Sequence, residues 1–283
     1  WYISSTGNTG DFQHWNNNKL NKLNSIIDQK EGYIWLKHNF SIPQKYSSES
    51  LHIYLGSIKI ASNIYLNNTY IGSSGIIDKP FTNGERVSSF HIPSDIINYS
   101  DKNDNTLLIK LYVSRIGKIS TTPFISDSDF VVKYTDLMNF GFSKMLFVFS
   151  LFLFVVSTIY FFLYILRPSE KQFLSFSRLN FFSAFYLFSY CHPEIPLDFS
   201  SIFPYLLFEK IFNGIISIIT GYFAISFIRD YLHCSDTKKR KIFRHILTWV
   251  PSIFLLISPN ANFYYNILAL SYISLLIHLV YAV

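Results

Sequence analysis

The chain has 283 residues, of which 19% are aromatic and 15% charged, with a formal net charge of +6. That charge is not uniform: residues 1–139 hold 13 Lys and Arg against 12 Asp and Glu, and residues 140–283 hold 11 against 6. Because the basic surplus sits in short loops between apolar runs, it reads as membrane orientation and excludes nucleic acid as the partner.

Residues 1–30 carry turn formers from Ser4 to Gly10 and a polar segment with Trp15, Leu20 and Leu23, and are expected to be mostly irregular. From Tyr33 the pattern becomes short apolar runs separated by turn chemistry, and the predicted strands are 33–40, 51–56, 60–66, 69–72, 86–93, 106–113 and 129–135. Pro43 ends the first run, Asn67-Asn68 tolerates the positive φ of a two-residue hairpin turn, and a helical turn is expected near Ser94–Tyr99. Strands at this spacing predict an all-β antiparallel sandwich over residues 1–139.

The residues from Gly32 to Lys37, Phe40, Ile42-Pro43, Leu55-Gly56-Ser57, Ala61 to Asn68, Ile71-Gly72, Ile92 to Ile97 and Asn105 to Ile109 resemble one known pattern. It is that of the sugar-binding jelly-roll (galactose-binding-like) domain in family-two glycoside hydrolases, matched over about residues 30–115. The resemblance implies a jelly-roll fold with an accessory role in carbohydrate binding, and no activity of its own. Where that family usually has Asn-Gly, this chain has Asn67-Asn68.

Trp35, Tyr65 and Tyr112 lie on predicted strands, where aromatic side chains pack in the core or across strands. Asn105 is expected to make a turn hydrogen bond. Among loop residues, Asn83, Arg86 and Arg115 offer amide and guanidinium donors to a ligand's hydroxyls or to an anion. The plainer reading of each is a solvated surface group.

The run from Phe142 to Leu166 is apolar on every face. As a helix at about 1.5 Å per residue it outreaches a bilayer core of about 30 Å. Further spans are predicted at 173–190, 205–228, 242–258 (interrupted by Pro251) and 263–283, giving an α-helical multi-span bundle over residues 140–283. The loops holding Arg167 and Lys171 and holding Lys238 to Lys241 are basic, whereas 191–204 and 259–262 contain no Lys or Arg. That alternation predicts a β-domain outside and a first span running inward.

Glu209, Asn213, Ser217 and Thr220 recur at helical spacing on the third span, and Gly214 and Gly221 offer a small-residue face. Glu209, Asn213 and His278 are the polar candidates for function within the spans, weighed against ordinary helix packing. Cys191 and Cys234 flank the second and third spans, would lie on opposite faces of the membrane, and lack metal-ligand spacing with a partner.

None of the nucleotide-binding, nucleophile-elbow, zinc-protease or dithiol motifs occurs, so no catalytic residue, metal or cofactor is expected in this chain. A jelly-roll domain followed directly by several spans is similar to the bacterial seven-transmembrane receptors with diverse intracellular signalling modules. That resemblance implies a sensory receptor of the bacterial cytoplasmic membrane, with the lipid bilayer and a small molecule or saccharide as partners. It also implies two more spans and a cytoplasmic output domain in cis, such as a PPM-type serine/threonine phosphatase, a cyclase or a kinase. The chain opens at Trp1 and closes at Val283 inside an apolar run, so an export signal and that output domain are expected beyond it.

A homodimer is among the assemblies such a receptor permits. The competing readings are a membrane-embedded enzyme with an accessory β-domain, for which Glu194 and Asp198 beside His192 are the nearest acidic group, and a transporter using Glu209 and His278.

Overall fold

In a computed structural model, the structure describes residues 2–4, 13–14, 31–114, 119, 123–234 and 237–282. The chain forms two compact units, Trp1–Ser143 and Lys144–Val283.

The first unit contains strands β1 (Tyr2–Ser4), β2 (Gln13–His14), β3 (Gly32–Ile42), β4 (Leu51–Ser57), β5 (Ala61–Leu66), β6 (Thr69–Ser74), β7 (Val87–Ile92), β8 (Ser100–Val113) and β9 (Phe124–Asp127). They form two antiparallel sheets, one of six strands in the order β2-β1-β3-β8-β5-β6 and one of three in the order β7-β4-β9. Alternation decides what each strand buries. On β8, Leu107, Ile109, Leu111 and Val113 point inward, and on β4, Leu51, Ile53 and Leu55 do so. These side chains from both sheets meet in one core with Ile34, Leu36, Ile64 and Leu66.

Turn chemistry sets the registers. Asn67 and Asn68 adopt φ of 47° and 67°, which makes the two-residue β5–β6 turn, and asparagine tolerates that region better than most residues. The Asn67 amide also donates to Ile96 O at 2.6 Å and to Asn105 Oδ1 at 2.9 Å, so the turn is tied to the loop after β7. Asn105, fully buried, accepts from the Asn98 amide at 2.9 Å and donates to its carbonyl at 2.7 Å.

The structure departs from the expected strands in three places. β8 begins at Ser100 rather than near 106. β9 is a strand that the sequence pattern did not mark, and within residues 1–30 β1 and β2 are described while the rest of that stretch lies outside the described residues. The third concerns residues 129–135, expected as a strand, which belong to helix α1 (Ser128–Asn139). Asp127 caps that helix, its Oδ1 accepting from Phe130 N at 2.9 Å. Val131, Thr135 and Asn139 recur every four residues on its buried side, packed on the outer face of the three-stranded sheet near Tyr54 and Val87. Local β-propensity in Val131-Val132 yields to the cap and to this burial, since a fully buried valine contributes about 1.5–3 kcal/mol.

The second unit is helical: α2 (Met145–Leu166), α3 (Lys171–Cys191), the short α4 (Phe199–Ile202) and α5 (Tyr205–Phe208), α6 (Ile216–Tyr231), α7 (Lys238–Ile257) and α8 (Ala261–Ala282). A π-helical segment, Glu209–Ile215, joins α5 to α6, and another, Phe140–Lys144, precedes α2, so the backbone is helical from Ser128 to Leu166. Among the described residues, three helical stretches are long and apolar enough to cross a membrane: Ser128–Leu166, Tyr205–Tyr231 and Ala261–Val280. α3 and α7, expected as spans over 173–190 and 242–258, have comparable length but fall short of that hydropathy.

Helix α2 is built inside out relative to a water-soluble helix. Its buried residues are Ser150 and Ser157, while Phe152 and Phe162 stay 58% and 59% exposed. Ser150 Oγ donates to Ala184 O at 2.9 Å, and Ser157 and Ser177 each donate to the other's carbonyl at 2.8 and 2.9 Å. These hydroxyls join α2 to α3, and α3 in turn packs on α6. On the π-helical segment and α6, Gly214 lies against the Tyr264 ring and Gly221 against Leu275, so α8 packs on the small-residue face of that run.

Candidate functional site

Two places gather chemistry, one in each unit. In the β unit a cavity of about 500 Å³ opens between the end of β3, the start of β4 and strand β9. Ile42, Leu51, Ile53 and Leu107 give it an apolar wall that belongs to the shared core. The polar residues that line it are His38, Ser41, Tyr46, Glu49, Ser126 and Asp127. Burial holds the His38 ring below the ordinary histidine value, so it is neutral near pH 7. Asp127 has a second task here, because its carboxylate caps α1. A site of this volume, with few polar groups over apolar walls, suits a small amphipathic molecule.

The loop candidates lie elsewhere. Asn83 and Arg86 share the turn before β7, where Arg86 N donates to Asn83 O at 3.3 Å and Thr82 Oγ1 accepts from Gly84 N at 3.1 Å. Glu85 beside them pairs with Lys59 at 3.0 Å. Neither Asn83 nor Arg86 lines the cavity, and Arg115 lies outside the described residues. The strand aromatics meet across strands: Trp35 with Tyr65 at 5.7 Å, and Tyr33 with Tyr112 at 5.3 Å. Tyr112 also donates to Glu31 at 3.2 Å; burial first, and then the Glu31 charge, push its hydroxyl up to about 12.

In the helical unit, Glu209 is 6% exposed and both of its carboxylate oxygens accept hydrogen bonds. Tyr205 Oη donates at 2.9 Å and Asn213 Nδ2 at 2.8 Å, while Ser189 Oγ reaches Asn213 Oδ1 at 2.5 Å. Tyr264 Oη donates to the Glu209 carbonyl at 2.9 Å, an oxygen on the first residue of the π-helical segment. Lys210 turns the other way, its ammonium donating to Ser258 O at 2.6 Å and Leu256 O at 3.2 Å at the C-terminal end of α7.

The fold therefore joins Glu209 to Asn213 and separates His278 from both. His278 lies fourteen residues, about 21 Å, beyond Tyr264 along α8, its ring 5.9 Å from that of Tyr222 and tilted by 46° to it. Cys191 is buried, Cys234 is exposed, and both are free thiols.

None of the residues that line the cavity stood among the ligand-binding candidates from the sequence. Its walls come from segments up to about ninety positions apart, and the available local hint was a strand ending at Ile42-Pro43 before a polar loop. The role of Lys210 is not legible in the sequence, because its carbonyl partners lie at the end of another helix.

No protein-family model matches the chain, and neither does any curated protein. Solved structures match it in part. The apo β-glucuronidase of Ruminococcus gnavus is 13% identical over 34% of this chain and 19% of that one, with a TM-score of 0.27. The Bacteroides uniformis β-glucuronidase is 18% identical over 35% and 12%, with a TM-score of 0.28. The β-D-glucuronidase of Dictyoglomus thermophilum is 16% identical over 41% and 18%, with a TM-score of 0.30. The chain thus spans less than a fifth of each of these three. At these scores the likeness carries no argument.

Proposed function

We propose that this chain is the sensing and membrane-spanning part of a bacterial receptor. Its β unit, a jelly-roll outside the cytoplasmic membrane, binds a small molecule of the saccharide class. Five helices (α2, α3, the run from Tyr205 to Tyr231, α7 and α8) cross the bilayer, and an output domain beyond Val283, such as a PPM-type phosphatase, carries the signal in the cytoplasm. The observation that carries this reading is the inverted polarity of the helical unit. Serines, Asn180, Glu209 and Lys210 are buried, while the phenylalanines and leucines of α2 face outward. In water that arrangement forfeits the burial of a dozen large side chains, whereas in lipid it satisfies the polar groups and solvates the apolar ones.

The cavity supports a sensing role for the β unit, since ligand contacts there share Asp127 with the cap of α1. A ligand shifts such an equilibrium only by its differential affinity for two states. A transporter reading is less favoured, because Tyr264, which holds the Glu209 carbonyl, stands about 21 Å along α8 from His278.

The test uses the full-length protein in its native membrane. Reporter fusions should place the turn Lys238–Lys241 inside and the β unit outside. Output is then measured against a panel of neutral monosaccharides and uronic acids. Deletion of residues 31–127, or Leu107→Trp to fill the cavity, should abolish any response found. A response that survives both changes rejects ligand sensing by this unit, and a turn found outside rejects the topology.

A further inference from the structure

A groove of about 340 Å³ runs between α2 and α3 on the outside of the helical unit. Phe154, Phe161, Leu174 and Phe181 form its walls, and Thr158 and Arg178 stand among them. The reciprocal Ser157–Ser177 bonds close its floor, so those two hydroxyls are already used within the protein. Thr158 Oγ1 likewise donates to Phe154 O at 3.0 Å. Arg178 is the exception. It is exposed, its guanidinium lies 5.7 Å from the Phe223 ring, and among the described residues no carboxylate pairs with it.

An arginine facing lipid is costly unless its charge reaches water or meets an anion. Arg178 stands seven residues, about 10 Å, along α3 from Lys171, the first residue of that helix, and both Lys171 and Arg167, just after α2, are exposed. The nearby acids are Glu170, which accepts from Gln172 Nε2 at 2.8 Å, and Asp230, which accepts from Ser175 Oγ. Three cations against these two carboxylates leave a formal surplus of one positive charge beside a groove walled by aromatic rings. A guanidinium fork matches a phosphate, and an apolar trough beside it matches an acyl chain.

We infer that the α2–α3 groove binds one anionic phospholipid, its phosphate on Arg178 and one acyl chain along Phe154, Phe161 and Phe181. The inference rests on the membrane reading of this unit and adds a lipid site to it. The ring contact with Phe223 holds the guanidinium toward α6, so the bound phosphate bridges the α2–α3 pair and the neighbouring helix.

The test places the whole chain in nanodiscs made with equal amounts of phosphatidylglycerol and phosphatidylcholine of the same acyl composition. Lipid retained on the protein is then counted by native mass spectrometry. Wild type should retain phosphatidylglycerol about fivefold better, the worth of one basic residue near a membrane surface. Arg178→Gln should remove the preference and Arg178→Lys should keep most of it. A variant with Lys238, Lys239, Arg240 and Lys241 all changed to Gln should keep it entirely. Equal retention of the two lipids by wild type, or a preference that survives Arg178→Gln, overturns the site while leaving the membrane reading intact. Loss of preference in the Lys238–Lys241 variant assigns the lipid to that turn and also overturns it. A chain that does not enter the discs overturns both.

Discussion

Asn139 provides the sharpest test of how the β unit is held together. It occupies the last position of α1, is 6% exposed, and reaches the edge strand β7 with both ends of its amide. Oδ1 accepts from Val87 N at 2.8 Å and Nδ2 donates to Val87 O at 3.2 Å, so the side chain stands in for a missing neighbouring strand. Asn139→Ala would leave a backbone N–H and a C=O of Val87, itself 6% exposed, without this partner. A net hydrogen bond is worth about 1 kcal/mol, and an orphaned buried group costs about 1–3 kcal/mol. The two together put the loss at about 2–4 kcal/mol, which raises local opening of β7 from α1 by about thirty-fold or more. Asn139→Asp should be at least as damaging, because it keeps the acceptor and sets a negative charge against the Val87 carbonyl. Hydrogen exchange of the Val87 amide in the intact, detergent-solubilised chain reads this directly. Exchange accelerated less than about threefold in both variants would refute the clasp, since even one net bond predicts about fivefold.

Two further outcomes follow from the same contacts. Lys210→Met removes a charged donor from the last carbonyls of α7, and thermal unfolding of the helical unit in detergent should lose about 1.5–3 kcal/mol, with Arg restoring part of it; a midpoint unchanged from wild type would show that α7 does not depend on this cap. The β unit should lose stability in acid. Burial, and for His52 also the charge of His91 with its ring 5.1 Å away, holds His38 and His52 below the ordinary value of 6.5. The folded state then binds fewer protons than the unfolded chain, so this stability is complete above about pH 6.5 and is lost as pH falls through it toward the lowered values. Urea midpoints followed by tryptophan fluorescence at pH 8 and pH 5 should show that decline, shallower in His52→Gln; an undiminished decline in the variant refutes the role of His52.

Much of the architecture is legible because it rests on short-range rules. Asn67-Asn68 turns the chain wherever it occurs, Pro43 closes a strand, and the alternation on β8 selects which side chains enter the core. The apolar run from Phe142 to Leu166 is equally self-declaring, for no water-soluble helix exposes Phe on every turn. The stretch 129–135 misleads because Val131, Val132 and Tyr134 favour strands in isolation, while the deciding partners, Tyr54 and Val87, are far along the chain. The cavity and the groove between α2 and α3 are beyond local reading for the same reason.

Residue order by itself therefore determined most of the strands of the β unit, its Asn67-Asn68 turn and the apolar helix α2, since those follow from backbone sterics and from hydrophobic period. Tertiary packing alone decided which polar groups meet: Glu209 with Tyr205 and Asn213, Lys210 with the end of α7, and Asn139 with the edge of β7. A buried polar atom must find a partner within about 3 Å, and which one it finds depends on how distant segments pack.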